Sequence, residues 1–445
     1  MNRRVFTLLP TLLLATLLFP RCAVSTCPST LRVAAATHRD AGLQIGAHYR
    51  AMIVDRFQRS SQLPDLRRFA ATPRGASALA TLLASARAFN AGYVDEMHGI
   101  ADGAGVARLD AELMNLRHEM GALLSGASSM SAAALFSECS DVASADFIAH
   151  NEDGFDAANN HTYILNVSVT SELEEVDENA TTTWWLAYCY AGELASTAFG
   201  FNSRGVAYTL NAMHCDTALE GSTVGRNFIS RALLVAPSLD AASKLVVQTP
   251  SATGHNYQIY QSVARAAGPA AAPGPVLSIE TFPPNRSHIT TFGGGGVDDV
   301  ARSAIFHANC YLFLAPPTSS TASKSAASTA ALSSSSSLSS RGGGHPWQTL
   351  RCLDTNVDSA ARVNRAALLD APYSVSSALA MLGDTFNTSY PIYANPLAPP
   401  NADGRTTLNT VLFDVRRSEA RLLGGNPSNG AAAPAAVCHV WPLMW

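Results

Sequence analysis

The feature that most restricts this chain is a change of texture at Cys139. Upstream, over residues 31–124, alanine-rich runs such as 78–89 and 109–123 carry apolar residues three and four apart, the spacing of one helix face. Downstream, Leu165, Val167 and Val169 alternate with Asn166 and Ser168, the period-two pattern of a half-buried strand. Segments 184–190, 205–211, 257–263 and 410–415 also read as strands, and helical spacing returns at 227–247, 358–369 and 374–382. Helices followed by strands interleaved with helices predict an α+β chain of packed layers. At the seam stands Cys139-Ser140-Asp141-Val142, followed by His150-Asn151-Glu152-Asp153-Gly154. Four polar side chains in a row before a glycine break the alternation of a core strand. The economical explanation is a thiol nucleophile with its supporting groups.

The first residues predict a secretory signal over residues 1–25. Arg3 and Arg4 form a basic start, a short apolar run follows, and small residues stand at Ala23 and Ser25, the pattern of a cleavable leader. The apolar run is shorter than the ~20 residues that span a bilayer, and no other continuous apolar stretch is long enough, so no stable membrane span is expected. The protein is expected in the secretory pathway, secreted or lysosomal. Five sequons agree with that expectation, at Asn160, Asn166, Asn179, Asn285 and Asn387, and predict exposed segments there. Of eight cysteines, Cys22 leaves with the leader, and the odd remainder in an oxidising compartment implies a thiol outside any disulfide. Cys139 is the candidate. Without a Cys-x-x-Cys pair, zinc-ribbon and thioredoxin readings fail. The net charge of -4 is spread along the chain, with no basic stripe to hold nucleic acid. The sequence says nothing of oligomeric state. Residues 316–345 are dominated by serine and alanine and predict a disordered surface insertion. Residues 268–275 are similarly poor material for a core.

A cysteine nucleophile needs a base or a lowered pKa, and three designs are open. A histidine could serve, with His150, His161, His214 and His307 available. A metal could bind the thiolate beside His150 and Glu152, although the spacing is irregular and further soft ligands are missing. Cleavage before Cys139 would instead free an α-amine, with a model-peptide pKa of about 7.7–8.0, able to act as base near neutral pH.

Here the residues resemble the isopenicillin-N acyltransferase-type branch of the cysteine N-terminal-nucleophile hydrolases, which includes β-alanyl-dopamine and carcinine amide hydrolases. The resemblance rests on Ala36-Thr37-His38, Gly42 to Gly46, the two polar segments after Cys139, and Phe199 to Gly205 leading to Asn211. It extends through Gly225-Arg226-Asn227-Phe228, Phe306-His307-Ala308-Asn309, Leu382-Gly383-Asp384, Thr410 to Asp414 and Gly425-Asn426-Pro427. It implies a four-layer αββα sandwich. A helical segment, residues 26–138, would become a separate chain, and residues 139–445 would form the catalytic domain.

The resemblance also implies roles. Cys139 would attack through its thiol, with its α-amine as base, and Asp153 would hold both in register. Asn211 and Asn309 would donate to the oxyanion. Arg351 is the positional match to an arginine that follows the insertion-prone loop, with Arg341 its rival. The implied substrate is a small linear amide, with no cofactor and no metal. Glu138 stands where cleaved members carry glycine, whose missing Cβ lets backbone approach the thiol. Two other readings share these residues: a non-catalytic secreted glycoprotein of the same fold, and a ceramidase-like lipid amidase, for which no membrane-facing amphipathic helix stands out.

Overall fold

The computed structural model describes residues 27–125, 139–172, 184–195, 197–213, 222–262, 274–293, 304–315, 350–354, 356–396, 398, 401–402, 404–428 and 435–443. The leader, Glu138, the sequon at Asn179, Cys215, His214, Arg341 and the Ser/Ala-rich insertion lie outside the described residues.

The amino-terminal part opens with a strand rather than a helix. β1 (Thr30–Ala35) precedes α1 (His38–His48), α2 (Arg50–Arg59), α3 (Leu63–Ala70), α4 (Pro73–Phe89), α5 (Ala91–Ala104), α6 (Arg108–Asn115) and α7 (Arg117–Ser125). Thr37, Thr72 and Asn90 cap the first amides of α1, α4 and α5 with their side-chain oxygens, which satisfies donors that a helix start leaves orphaned. Helices α1 and α5 touch backbone to backbone, because a Cβ at Gly42 or Gly46 would collide with the carbonyls of Glu96 or Ile100. The helical pattern at 109–123 breaks at Leu116, between α6 and α7.

The remaining strands are β2 (Ser140–Ser144), β3 (Phe147–Gly154), β4 (Thr162–Val169), β5 (Trp185–Tyr190), β6 (Phe199–Asn202), β7 (Val206–Met213) and β8 (Gly254–Gln261). They continue with β9 (Val276–Phe282), β10 (Arg286–Phe292), β11 (Ala304–His307), β12 (Thr406–Asp414), β13 (Glu419–Gly424) and β14 (Ala436–Pro442). Four more helices are α8 (Arg226–Leu233), α9 (Leu239–Gln248), α10 (Val357–Ala366) and α11 (Val375–Leu382). The helical pattern at 227–247 is split by Pro237, and Ser238 caps the second helix, since proline lacks the amide that a continuous helix needs.

The strands form an eight-stranded sheet, ordered β1-β4-β5-β6-β7-β8-β9-β10, and a six-stranded sheet, β11-β2-β3-β12-β13-β14. Their faces meet: Phe413 of β12 packs edge-on against Phe199 and Phe201 of β6. One core joins α1 to α7, α8 and α9 to the outer face of the eight-stranded sheet. The other fills the space between the sheets and extends to α10 and α11. The layers therefore run αββα, as the resemblance implied.

The amino-terminal segment is not a separate body. β1 pairs in parallel with β4, Thr30 opposite Ile164 through Ala35 opposite Val169. A disulfide joins Cys27 to Cys438 on β14. Buried ion pairs cross the same boundary: Arg231 on Glu96 at 2.8 Å, Arg56 on Glu193 and Arg117 on Glu193 at 3.2 Å. Burial alone would raise the Glu96 carboxyl, but the Arg231 charge and a His38 hydrogen bond outweigh it and hold the group at about 2. Glu193 is likewise about 2, its burial offset by Arg117 and Arg56. Depressed carboxylate pKa values stabilise the fold above the unfolded value of about 4.3, and that stability is lost as pH falls toward 2. Melting temperature is expected to drop steeply between about pH 4.5 and 2. Glu193→Gln should flatten that limb, and an unchanged acid limb would refute the assignment.

Candidate active site

β2 and β3 form the hairpin that carries the polar cluster. Asp141 is registered opposite His150, and Ser140 opposite Asn151. β3 is central, between β2 and β12, and each of its residues is buried. That explains its unbroken polar run, because both faces of the strand meet protein groups that bind them. His150 and Glu152 face the eight-stranded sheet, where Glu152 Oε1 accepts the hydroxyl of Tyr190 on β5. Asn151 faces the outer helices and donates to the carbonyl of Leu382 on α11 at 2.8 Å.

Cys139 sits just before β2, 4% exposed and outside both disulfides. Cys189, buried in β5, is also outside them and directs its thiol to the Ala187 carbonyl. The odd-cysteine argument thus finds two such thiols among the described residues. Cys139 Sγ donates to Glu152 Oε2 at 3.4 Å. The same oxygen lies 2.8 Å from His150 Nε2, and His150 Nδ1 lies 2.8 Å from Asp141 Oδ1. Thr209 of β7 donates to that Asp141 oxygen at 2.8 Å, which ties the hairpin to the facing sheet. Burial by itself would discharge His150. The Asp141 charge, with hydrogen bonds to Asp141, Cys139 and Glu152, outweighs it and raises the ring well above the ordinary value of 6.5.

The expected oxyanion donors stand in different states. Asn211 lies on β7 two residues beyond Thr209, on the same face. It is fully buried, and neither atom of its amide has a partner. Buried amides are usually paired, and this one is open to donate to a bound group. Asn309 is already engaged, donating to the Ala212 carbonyl at 2.9 Å and accepting from Arg362 at 2.9 Å. Asn211→Ala is expected to lower kcat by about 10²–10³ with no loss of melting temperature, because no bond is broken. A parallel fall in both would show that the amide is structural.

Two expected residues are placed differently. Arg351 is exposed, beside the Cys310–Cys352 disulfide that pins the base of the insertion. The arginine that reaches Cys139 is Arg362 of α10, fully buried. It donates to the Cys139 carbonyl at 2.6 Å and to Ser140 Oγ at 2.8 Å, besides Asn309. Arg362 is in turn paired with Asp358 one helical turn earlier. Asp153 does not hold Cys139 here. Its Oδ2 is taken by the buried Arg405, which also approaches Asp358 at 3.5 Å, while its Oδ1 has no partner. Cys139, Asn309 and the neighbour of Asn211 are thus joined through Arg362, with Asp153 one ion-pair relay further away.

His307, an open alternative as base, is spent on Glu280 at 2.8 Å and the Ala308 carbonyl. His161 binds Asp55. Of the described sequons, Asn160 and Asn285 are exposed. Asn387 is half-buried and caps Ser389 and Tyr390. Asn166 is half-buried on β4, between β1 and β5, which departs from the expected exposure. It lines a groove of about 670 Å³ with Trp184 and Trp441 that includes none of the Cys139 cluster.

The family described as acyl-coenzyme A:6-aminopenicillanic acid acyl-transferase matches residues 141–429, well over half of the chain. The chain belongs to this family. The Drosophila melanogaster beta-alanyl-dopamine/carcinine hydrolase is 25% identical over 215 residues, 47% of this chain and 55% of that protein. The chain therefore spans about half the length of that curated relative. Among solved structures, penicillin V acylase from Agrobacterium tumefaciens aligns at a TM-score of 0.33 and 11% identity, over 67% of this chain and 84% of its own. A mutant of the conjugated bile acid hydrolase from Clostridium perfringens aligns at 0.32 and 10%, over 69% and 98%. For a member of this acyl-transferase family, the described residues contribute one buried thiol with acid, base and amide groups arranged around it. Cys139, His150 and Glu152 each aim one ligand atom into a single small volume, these atoms lying within 4.8 Å of one another.

Proposed function

We propose that this protein is a secreted or lysosomal amide hydrolase or acyltransferase that opens carbon–nitrogen bonds of small linear amides through Cys139. The observation that carries the reading is the fully buried, unpartnered Asn211 amide on the same strand face as the residue that anchors the Cys139 hairpin. Cys139 attacks the carbonyl carbon, Asn211 and Asn309 hold the developing oxyanion, and the amine departs. Water or a second amine then takes the acyl group from the thioester. Cleavage between Glu138 and Cys139 would make Cys139 the first residue of the larger chain and its α-amine free. The family match and the carcinine hydrolase likeness support the amide chemistry, and the apolar leader with its sequons supports the location. The test is release of amine from a panel of N-acyl amines, followed while Cys139 is titrated with iodoacetamide. Amine release should disappear in proportion to Cys139 alkylation, mapped by peptide mass. Release that persists after full alkylation would sink the reading.

A further inference from the structure

Asn166 begins the sequon Asn166-Val167-Ser168, yet it stands within a sheet. Strand alternation sets its direction. Leu165 and Val167 pack into the core beneath the helices, so Asn166 and Ser168 point the other way, toward the layer between the sheets. Across four neighbouring strands the register aligns Arg32, Asn166, Leu186 and Phe201 on that one face. Leu186 and Phe201 join the core between the sheets. Arg32 and Asn166 lie beyond its rim, Arg32 exposed and Asn166 half-buried. The strip left uncovered is the groove of about 670 Å³, lined from β1, β4, β5 and β6 of one sheet and from β14 of the other. That volume suits a small organic group, and Asn166 opens into it.

We propose that this groove is the seat of an N-linked glycan on Asn166, whose first sugars lie against Trp184 and Trp441, and that the glycan covers the joined edges of the two sheets. The inference rests on the secretory half of the proposed function and not on the chemistry of Cys139. In the attachment step the side-chain nitrogen of Asn166 forms a bond to the anomeric carbon of the sugar. The bond from that carbon to the diphosphate of a lipid-linked oligosaccharide donor breaks, and the amide gives one proton to the leaving phosphate. Because β1 and β5 flank β4, attachment precedes the pairing of these strands, and the sugar is enclosed as the sheets close.

Two observations favour a tethered sugar over another occupant. The first is the lining. Trp184 and Trp441 each pack against Phe201, with ring centroids 6.1 and 5.9 Å away, which fixes two indoles at the groove. A pyranose can set its C–H face on an indole and turn its hydroxyls outward, where Arg32 and Ser168 offer hydrogen-bonding groups. The attachment point is in the wall itself, so the sugar is present at the effective concentration of a tethered ligand. The second observation is position. β1 is the last strand of the eight-stranded sheet and β14 the last of the six-stranded one. The Cys27–Cys438 disulfide and a 2.9 Å bond from His439 to the Pro28 carbonyl hold these two edges together. On β14, Val437 is 57% and Val440 51% exposed. An exposed apolar edge strand is a template for association with another chain, and a bulky, hydrated glycan at this place covers it.

The experiment is glycopeptide mass mapping of the protein recovered from its own cells, followed by timed release with peptide N-glycosidase before and after denaturation. Asn166 should carry a glycan. The native protein should release it at least about tenfold more slowly than the glycan on the exposed Asn285, a ratio that a docking free energy of about 1.4 kcal/mol supplies. Denaturation should make the two rates equal. Trp441→Ala should remove most of the delay, and Trp184→Ala tests the same wall if that variant fails to fold. Ser168→Ala, which destroys the sequon and keeps Asn166, should shift the folded protein to larger species in sedimentation. A bare Asn166 beside glycosylated Asn160 and Asn285 would overturn the inference and leave the secretory route standing. Sequons that are all bare would overturn that route, and this inference with it. Release as fast as from Asn285, or a delay unchanged in both tryptophan variants, would overturn the docking. Unchanged sedimentation of Ser168→Ala would overturn the covering of the edges.

Discussion

Cys139→Ala is expected to lower amide turnover by about 10⁴-fold or more while moving the melting temperature by less than about 3 °C. The two expectations have separate causes. In the proposed reaction the Cys139 thiol forms the covalent bond, and the other described thiol outside a disulfide, Cys189, is in β5 with its sulfur on the Ala187 carbonyl, unable to replace it. Loss of the thiol costs the fold little, because Cys139 is held by its backbone: Arg362 grips its carbonyl, and the hairpin register at Asp141 and His150 does not involve the sulfur. What survives in the variant should be the contribution of the oxyanion donors and of substrate positioning. Amine release and thermal melting, measured on the same preparation, check both halves. Retention of more than about a hundredth of the rate would exclude Cys139 as nucleophile.

Arg362→Met should destabilise the protein by about 3–5 kcal/mol. The guanidinium is fully buried and gives hydrogen bonds to five groups: the Cys139 carbonyl, Ser140 Oγ, Asn309 Oδ1, Asp358 and Ser359 Oγ. Its removal takes from the buried Asp358 carboxylate its close cation and leaves it the longer approach of Arg405 at 3.5 Å, and a poorly compensated buried charge is the costly outcome. The sign of the effect can be tested independently. Replacing Asp358 by leucine in the same protein removes the stranded charge, and should return part of the lost stability without returning activity. Urea unfolding of the single and double variants measures this. A single-variant loss below about 1 kcal/mol would mean that Arg362 is not the clamp on Cys139.

Why Arg362 and not Arg351 takes this place has a physical reason that sequence order hides. Counting from the insertion finds the first arginine, whereas contact with β2 is decided by helix phase. Asp358, Ser359 and Arg362 lie three and four apart on the buried face of α10, and a charged pair on a face shared with Val363 and Ala366 was the legible sign. The Cys139 hairpin was readable because its polar run violated strand alternation. What alternation did not reveal is which residue faces which layer. Glu152 and His150 share a face with Asp141 through hairpin register. Asp153 falls beside a register shift between Thr407 and Asn409 on β12 and is taken by Arg405. β1 was lost in an alanine-rich stretch, and its strand state comes from a partner more than a hundred residues away, which no local window contains. Asn211 and Asn309 were found from the resemblance, and only the packed sheets reveal that one amide is open and the other engaged.

The bond between Cys27 and Cys438 fastens the start of the described chain to its last strand, and β1 is woven into the same sheet as β4. Scission anywhere between α7 and β2 would therefore yield two polypeptides that still migrate, sediment and melt as one molecule. Only a thiol reductant together with a denaturant would part them. A single band on a non-reducing gel carries no information about maturation, and a hydrolysed peptide bond would show there as nothing more than one added water in the mass.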